Sequence, residues 1–411
     1  MINLATTNFI QLWQRSDKAL VVLVMLLCSI GVVMVSSSSI DYANHHYGQP
    51  LFFSIRQSIF FVLAIGAGTV AFYIPTQHWL TYGWLYLMLA FLLLVLVLIP
   101  GIGKEVNGSR RWIPLGLINI QASEVAKLFM LIYMSGYLLR RRDEVRQRWR
   151  GFLKPIAVLV LAIVLLLEEP DFGSAVVIIF AVFGMIFLAG LGFPQFITLM
   201  TAAVIAVGSM AVSSSYRLER LKCFLDPWQE SHRFDCGYQL TQSLIAFGRG
   251  EWTGLGLGQS IQKQFFLPEA HTDFVFAIIA EELGFVGGAL TIVLFALLIG
   301  KLFLLARRLD HKKAFFEAYL TNGIALVLAA QVFINVGVNI GLLPTKGLTL
   351  PFLSYGGSSL LVNLFMLGIV LRIDAQHRKT QKQKTSSSIK KAGKSSTAEA
   401  SKHKLPRRLP S

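Results

Sequence analysis

Leu283-Gly-Phe-Val-Gly-Gly-Ala-Leu-Thr-Ile-Val-Leu-Phe-Ala-Leu-Leu-Ile-Gly-Lys-Leu-Phe-Leu-Leu305 is apolar for long enough to cross a bilayer as a helix; such a crossing takes roughly 17–25 residues. Shortly before it, Leu267-Pro-Glu-Ala-His-Thr-Asp-Phe-Val-Phe-Ala277 packs Glu269, His271, Thr272 and Asp273 between mostly apolar flanks. Ionisable groups at the edge of a bilayer are costly, which makes them functional candidates. The apolar run decides the fold, and the polar run before it decides where to look for chemistry. Because the run from Leu283 spans by itself, residues 273–282 form either the top of that span or an outer or re-entrant helix.

Working outward, the same apolar signal recurs along the chain. Of 411 residues, 54% are hydrophobic and 15% charged, with a mean hydropathy of +0.60. Soluble globular chains carry about 25% charged residues. A barrel would show ~10-residue alternating segments instead of long unbroken runs. The expected fold is an all-α polytopic membrane protein with ten spans, near 19–37, 57–75, 80–100, 121–139, 153–167, 172–190, 195–213, 283–305, 315–342 and 356–372. The first run has no evident signal-peptidase site and is a retained span.

Lys/Arg bias near span ends sets the orientation. Six Arg in 140–150, Arg307, Arg308, Lys312 and Lys313, and the C-terminal segment all fall on one side, together with the N-terminus. That side is cytoplasmic. The organisation is then a cytoplasmic N-terminus (1–18), a membrane domain (19–373) and a basic, disordered cytoplasmic tail (374–411). Residues 101–120, 168–171, 343–355 and a large loop at about 214–282 face outside.

The net charge of +16 does not signal nucleic acid, because residues 372–411 hold twelve Lys and Arg against Asp374 and Glu399, or +10 of the total. A segment with so little apolar content stays solvated and is drawn to anionic lipid. Cys28 belongs to a core. Cys223 and Cys236 share the outer loop, where a disulfide is permitted but not required by spacing alone. No zinc-like Cys/His spacing occurs.

Three outer stretches carry the candidates. Arg110 and Arg111 suit phosphate oxygens, since a guanidinium binds them in pairs. Trp112 beside them either positions a ligand or anchors the loop at headgroup level. Glu124 and Lys127, three apart on one helix face, are either a structural ion pair or the lining of a polar cavity. Gln331, Asn335 and Asn339 form a polar stripe that serves helix packing or a cavity equally well. Thr272 or Asp273 is placed to cap a helix over 274–282, and an Asp at a partly apolar surface has the raised pKa of a general base. Lys346 lies in a Gly/Pro-rich connector of the kind that lines cavities. Gly254-Leu-Gly-Leu-Gly258 has no βαβ context, so it reads as tight turns and not as a nucleotide loop.

Val338-Asn-Ile-Gly-Leu-Leu-Pro-Thr-Lys-Gly-Leu-Thr-Leu-Pro-Phe-Leu-Ser-Tyr-Gly-Gly-Ser-Ser359 resembles the signature of the SEDS family. So do Leu267–Ala277 with Glu281-Glu-Leu-Gly284, Gly108–Ile113, Gln121–Lys127, Glu169-Pro-Asp-Phe-Gly-Ser174 and Gly237–Ser243. The motifs occur in order over roughly residues 15–375, and the connector is more similar to division-type than to elongation-type members. Cys223 and Cys236 are no part of the pattern.

The resemblance implies a SEDS-type fold in the bacterial inner membrane at the division septum, and a peptidoglycan glycosyltransferase that polymerises lipid II there. The donor would be a glycan on undecaprenyl pyrophosphate. A class B penicillin-binding protein and other division proteins would be partners. Asp273 matches the family's essential aspartate, as general base or as a metal ligand. The implied substrate contacts are Arg110, Arg111, Trp112, Glu124, Lys127, Arg217, Arg220, Glu269, His271, Lys346, Ser354 and Ser358. Mg or Mn is the implied cofactor, with no nucleotide or organic one. Two other classes compete: a transporter flipping the lipid-linked precursor, and a non-catalytic scaffold. The absence of an internal repeat and the clustering of polar motifs on the outer side favour the enzyme.

Overall fold

The computed structural model describes residues 12–378, except 15, 107, 115, 117, 118, 148, 149, 213 and 214. Each expected span holds a helix: α1 Lys18–Tyr47, α2 Phe52–Tyr73, α3 Gly83–Leu98, α4 Ala122–Arg140, α5 Arg150–Glu168, α6 Phe172–Leu188, α7 Phe193–Val212, α10 Val275–His311, α11 Phe315–Asn339 and α12 Gly357–Arg378. Six of these (α1, α2, α4, α10, α11 and α12) are long and apolar enough to cross a membrane, and α3 and α6 are shorter apolar helices. The chain is therefore a multi-pass membrane protein. Its last helix runs to Arg378, four residues past the expected start of the tail at 374, and the tail from 379 lies outside the described residues. So do residues 1–11 of the N-terminus.

Local chemistry sets the ends of α1. The Asp17 side chain accepts from the Ala19 amide at 2.9 Å, and Gly48 closes the helix with φ 63°, the left-handed cap that glycine adopts without strain. In the bundle, α4, α11 and α12 are the most enclosed helices. Helix α11 packs on α10, α6 and α4, while α1 packs on α2 and α10.

One expectation is corrected by the fold. Residues 101–121 are not a plain loop but a small antiparallel sheet, so the protein is not purely helical. Its strands are β1 Lys104–Val106, β2 Ser109–Pro114 and β3 Asn119–Gln121, with Trp112 opposite both Lys104 and Gln121. The large loop before α10, whose shape the sequence leaves open, is structured. It holds α8 Ser215–Leu225 and α9 Tyr238–Gly250, and a Cys223–Cys236 disulfide ties the end of α8 to the approach to α9. The glycines at 254, 256 and 258 all have positive φ, as tight turns require.

The loop's last part is not solvent-facing. Residues Val275–Glu282 are buried and continue into α10 across a break at Gly284, where φ is 67° and ψ −168°. Only glycine fits there, since a Cβ would lie 2.3 Å from the Gly254 nitrogen. The amides freed by the break donate instead to Glu251 (Phe285 N, 2.9 Å) and Trp252 (Val286 N, 3.2 Å). Just before the break, two buried carboxylates are matched by cations. Glu282 takes Lys263 at 2.9 Å and the Ser37 hydroxyl of α1 at 2.7 Å, and Glu281 takes Arg249 at 3.2 Å. These contacts bind the loop, the short helix and α1 together.

Losing one partner of a buried pair leaves an uncompensated charge, which costs about 3–5 kcal/mol. Lys263→Met is expected to lower the melting temperature of the purified protein in detergent, and Lys263→Met with Glu282→Leu to recover most of it. Equal melting of the single variant and wild type would show that the pair does not hold this loop.

Candidate active site

Asp273 sits on a turn immediately ahead of α10. The turn is built by Glu269, which adopts a left-handed φ of 58° and whose carbonyl accepts from the Thr272 and Phe274 amides, each at 3.2 Å. Neither Thr272 nor Asp273 caps the helix; Phe274 holds the cap position and makes no side-chain bond. The Thr272 hydroxyl turns back to the Glu269 carboxylate and carbonyl. The Asp273 carboxylate is thus left for another use, and it accepts no hydrogen bond from a described residue.

Helix α11 holds the backbone of this turn in place. Asn335 and Asn339 donate to the Asp273 carbonyl at 2.9 and 3.1 Å, and the Asn339 Oδ1 accepts from the Ala277 amide at 3.0 Å. Asn335 also donates to the Leu348 carbonyl at 2.6 Å, so one side chain ties together Asp273 and the connector. The two asparagines of the polar stripe are therefore positioning groups. Gln331, below them, is fully buried with both amide atoms unpartnered.

The connector closes the other side. A Cβ on Gly347 would stand 2.8 Å from Asp273 Oδ2, so the carboxylate lies directly on glycine backbone. Lys346 stands over the Phe172 ring at 4.8 Å, and Gly173 packs on Leu348, which seats the start of α6 against the connector. Arg111 reaches in from β2, donating Nε to the Glu169 carbonyl at 3.2 Å and Nη2 to the Pro170 carbonyl at 2.5 Å. Asp171 caps α6 through the Ser174 amide at 3.1 Å and takes the Ser123 hydroxyl at 2.7 Å.

Burial pushes the Asp273 carboxyl up to about 7, the negative charge of Glu269 adds to this, and Arg111 opposes it. Such a group is poised as a base near neutrality. Burial likewise holds His271 below its ordinary value, against the charge of Glu269.

The remaining sequence candidates divide. Glu124 and Lys127 form a buried pair at 2.7 Å, leaving Glu124 Oε2 unpartnered. Arg110 points to the opposite face of β2 from Arg111, as strand alternation dictates, and pairs with Glu105 at 3.2 Å in a largely exposed contact. His271 is buried against the rings of Tyr42, Phe53 and Tyr355, and its carbonyl accepts from the Tyr355 amide at 2.9 Å. Arg220 donates to the Thr345 carbonyl at 3.5 Å, next to Lys346. The Ser354 hydroxyl accepts from the Leu350 amide at 2.8 Å and shapes the connector, whereas Ser358 Oγ is buried without a partner. Trp112 is half-buried in the sheet. The Arg217 side chain lies outside the described residues. Sequence reasoning gave Glu169 and Gly347 no role of their own; the only signal was their place in two quoted motifs. Among the described residues no group of three His, Cys, Asp or Glu converges as a metal site would require.

This architecture, an apolar helical bundle with a carboxyl raised to about 7 beside the connector, is that of a multi-pass membrane protein with a candidate acid–base centre. The family model described as cell cycle protein, for FtsW, RodA and SpoVE, matches residues 17–379. The chain belongs to this family. It is 52% identical over 352 residues to a probable peptidoglycan glycosyltransferase FtsW of Hahella chejuensis, covering 86% of this chain and 88% of that one. Identity to the one from Saccharophagus degradans is 49% over 387 residues, covering 93% and 100%. Among solved structures, a chain from a study of structural coordination of polymerization and crosslinking by a peptidoglycan synthase complex aligns with a TM-score of 0.71 at 29% identity, covering 88% and 98%. Rod shape determining protein RodA of Thermus thermophilus aligns at 0.66 and 28% identity, covering 88% and 97%.

Asn339→Ala removes the acceptor of the Ala277 amide and a donor to the Asp273 carbonyl. Hydrogen–deuterium exchange is expected to quicken in residues 273–280 and to stay unchanged in α10 beyond Gly284. Unchanged exchange in 273–280 would reduce the stripe to helix packing.

Proposed function

We infer that the chain is a peptidoglycan glycosyltransferase, and we propose that it polymerises lipid II with Asp273 as the general base. The observation that carries the base assignment is the geometry of that carboxylate. It accepts no hydrogen bond from a described residue, its main-chain carbonyl is held by two asparagines, it is pushed up to about 7, and it lies against Gly347 with the charge of Arg111 acting on it. The transferase class itself rests on relatives that bear that name at about half identity over most of their length.

In this reading Asp273 takes the proton from the 4-hydroxyl of the lipid II GlcNAc. The oxygen attacks the anomeric carbon of the donor glycan from the face opposite the pyrophosphate. The C–O bond to the pyrophosphate breaks, its electron pair leaves with the phosphate oxygen, and the α-linkage becomes β. The logic is that of an inverting glycosidase with a sugar hydroxyl in place of water. The lipid pyrophosphate needs charge neutralisation more than a proton. Arg111 and Lys346 are our first candidates for it, Arg220 supports the connector, and Arg110 stands on the opposite face of β2 in an exposed pair with Glu105. Glu124 and Lys127 stay paired and buried on α4. Among the described residues no three His, Cys, Asp or Glu converge, so no step is assigned to Mg or Mn; Asp273 would be the residue to hold such a cation together with the substrate's pyrophosphate, where it would supply charge neutralisation.

We place ten crossings in the inner membrane at the septum, both termini in the cytoplasm, and the site on the outer side. The Cys223–Cys236 disulfide supports that side, since disulfides persist in oxidising compartments. The partner expected there is a class B penicillin-binding protein, in keeping with the polymerization and crosslinking pairing of the structural neighbour.

Two outcomes test this. In reactions with lipid II and the transpeptidase partner, Asp273→Asn is expected to lose at least about 100-fold in glycan synthesis on gels, the scale of a lost general base. Equal chains from a folded, partner-bound variant would remove Asp273 from the chemistry, while lipid transfer across vesicles without synthesis by wild type would favour the transporter. Because the Asp273 pKa is raised, its basic form accumulates only above about 7, so wild-type synthesis should rise with pH through that value.

A further inference from the structure

The turn between α5 and α6 carries a group that this mechanism does not use. Glu169 is 0% exposed, and neither of its carboxyl oxygens has a hydrogen-bond partner. Yet Arg111 docks on this same turn, donating to the main-chain carbonyls of Glu169 and Pro170. An arginine next to an ionised carboxylate takes the carboxylate, because charge-assisted bonds are roughly twice as strong as neutral ones. Here the guanidinium takes neutral carbonyls and leaves the carboxyl bare. Burying a bare carboxylate is prohibitive, so such a group neutralises.

The charged surroundings agree. Asp171, on the same turn, is occupied by Ser123, Gln121 and the Ser174 amide, and its negative charge opposes a second one. From α4, Glu124 and Lys127 satisfy each other at 2.7 Å. From the connector, Lys346 lies over Phe172. Glu168 is exposed. Arg111, from β2, acts on both Glu169 and Asp273.

We propose that Glu169 is a positioning residue for Arg111: uncharged, it leaves the guanidinium's field on Asp273 and the incoming pyrophosphate, and ionised, it captures Arg111. This rests on the polymerase reading of the Asp273 site. Burial first and Asp171 second push the Glu169 carboxyl up to about 9, against the pull of Arg111. The working window then lies between the titration of Asp273 and that of Glu169, with a rise through about 7 and a fall through about 9.

Glu169→Gln keeps the shape of the neutral acid and cannot ionise. Lipid II polymerisation by wild type, with its transpeptidase partner, is expected to fall to roughly a third to a quarter between about pH 7.5 and about pH 9.5, while the ratio for Glu169→Gln stays near one. A second readout needs no activity. A carboxyl raised on folding adds stability that is present below its unfolded pKa and lost as pH rises towards its folded one. Relative to Glu169→Gln, wild type should therefore lose melting temperature from about pH 5 up to about pH 9 and no further. Glu169→Met, uncharged and similar in size, serves if the glutamine variant does not fold. Parallel rate profiles or parallel melting profiles in an active wild type overturn the proposal. A wild type that makes no glycan at any pH overturns the polymerase reading, and the melting profiles then still report the charge of Glu169.

Discussion

Inside an apolar bundle, every main-chain polar group must find a partner within the protein. The segment from Glu269 to Gly284 breaks regular helix twice, at the turn before Asp273 and at Gly284, and it exists only because other elements supply those partners. Asn335 and Asn339 take the Asp273 carbonyl and the Ala277 amide. Glu251 and Trp252 take the amides beyond Gly284. The polar stripe of α11 and the turns of the large loop are thus two halves of one device, which holds a short buried helix apart from the span that follows it across the break at Gly284.

That device sets the electrostatics of the site. With the backbone satisfied from behind, the Asp273 carboxylate is released towards Gly347, Arg111 and the connector, and its partial burial raises its pKa into the range where a base is effective. The other buried acids are managed differently. Glu281 and Glu282 each have a cation and hydroxyl or amide donors, which makes them structural. Glu169 has none, although an arginine stands beside its backbone. Carboxyl groups in three environments are thus accommodated in three different ways.

Much of this was legible in the sequence. The apolar runs located ten helices, the glycine-rich run read correctly as turns, and Glu124 with Lys127 paired as their spacing required. Other readings failed for physical reasons. The polar composition of 101–121 concealed a sheet, because its pairing depends on register that composition does not carry. Residues 275–282 could be read as the top of a span or as a separate helix, because the break at Gly284 and the burial of Glu281 and Glu282 depend on the distant Lys263 and Arg249. Arg110 and Arg111 look equivalent in sequence, yet strand alternation sends one to Glu105 and the other to the site.

By itself, the sequence determined the class of protein, the order of its helices and the identity of the acid most worth testing. These follow from local quantities: apolar length, spacing along one helix, and motifs that lie contiguous in the chain. Only the tertiary structure decided which polar groups meet, that Asn335 and Asn339 hold the Asp273 turn, that Gly347 bears on its carboxylate, and that Glu169 stays bare beside Arg111. Those outcomes depend on contacts between segments tens to hundreds of residues apart, and on whether a buried group finds a partner there.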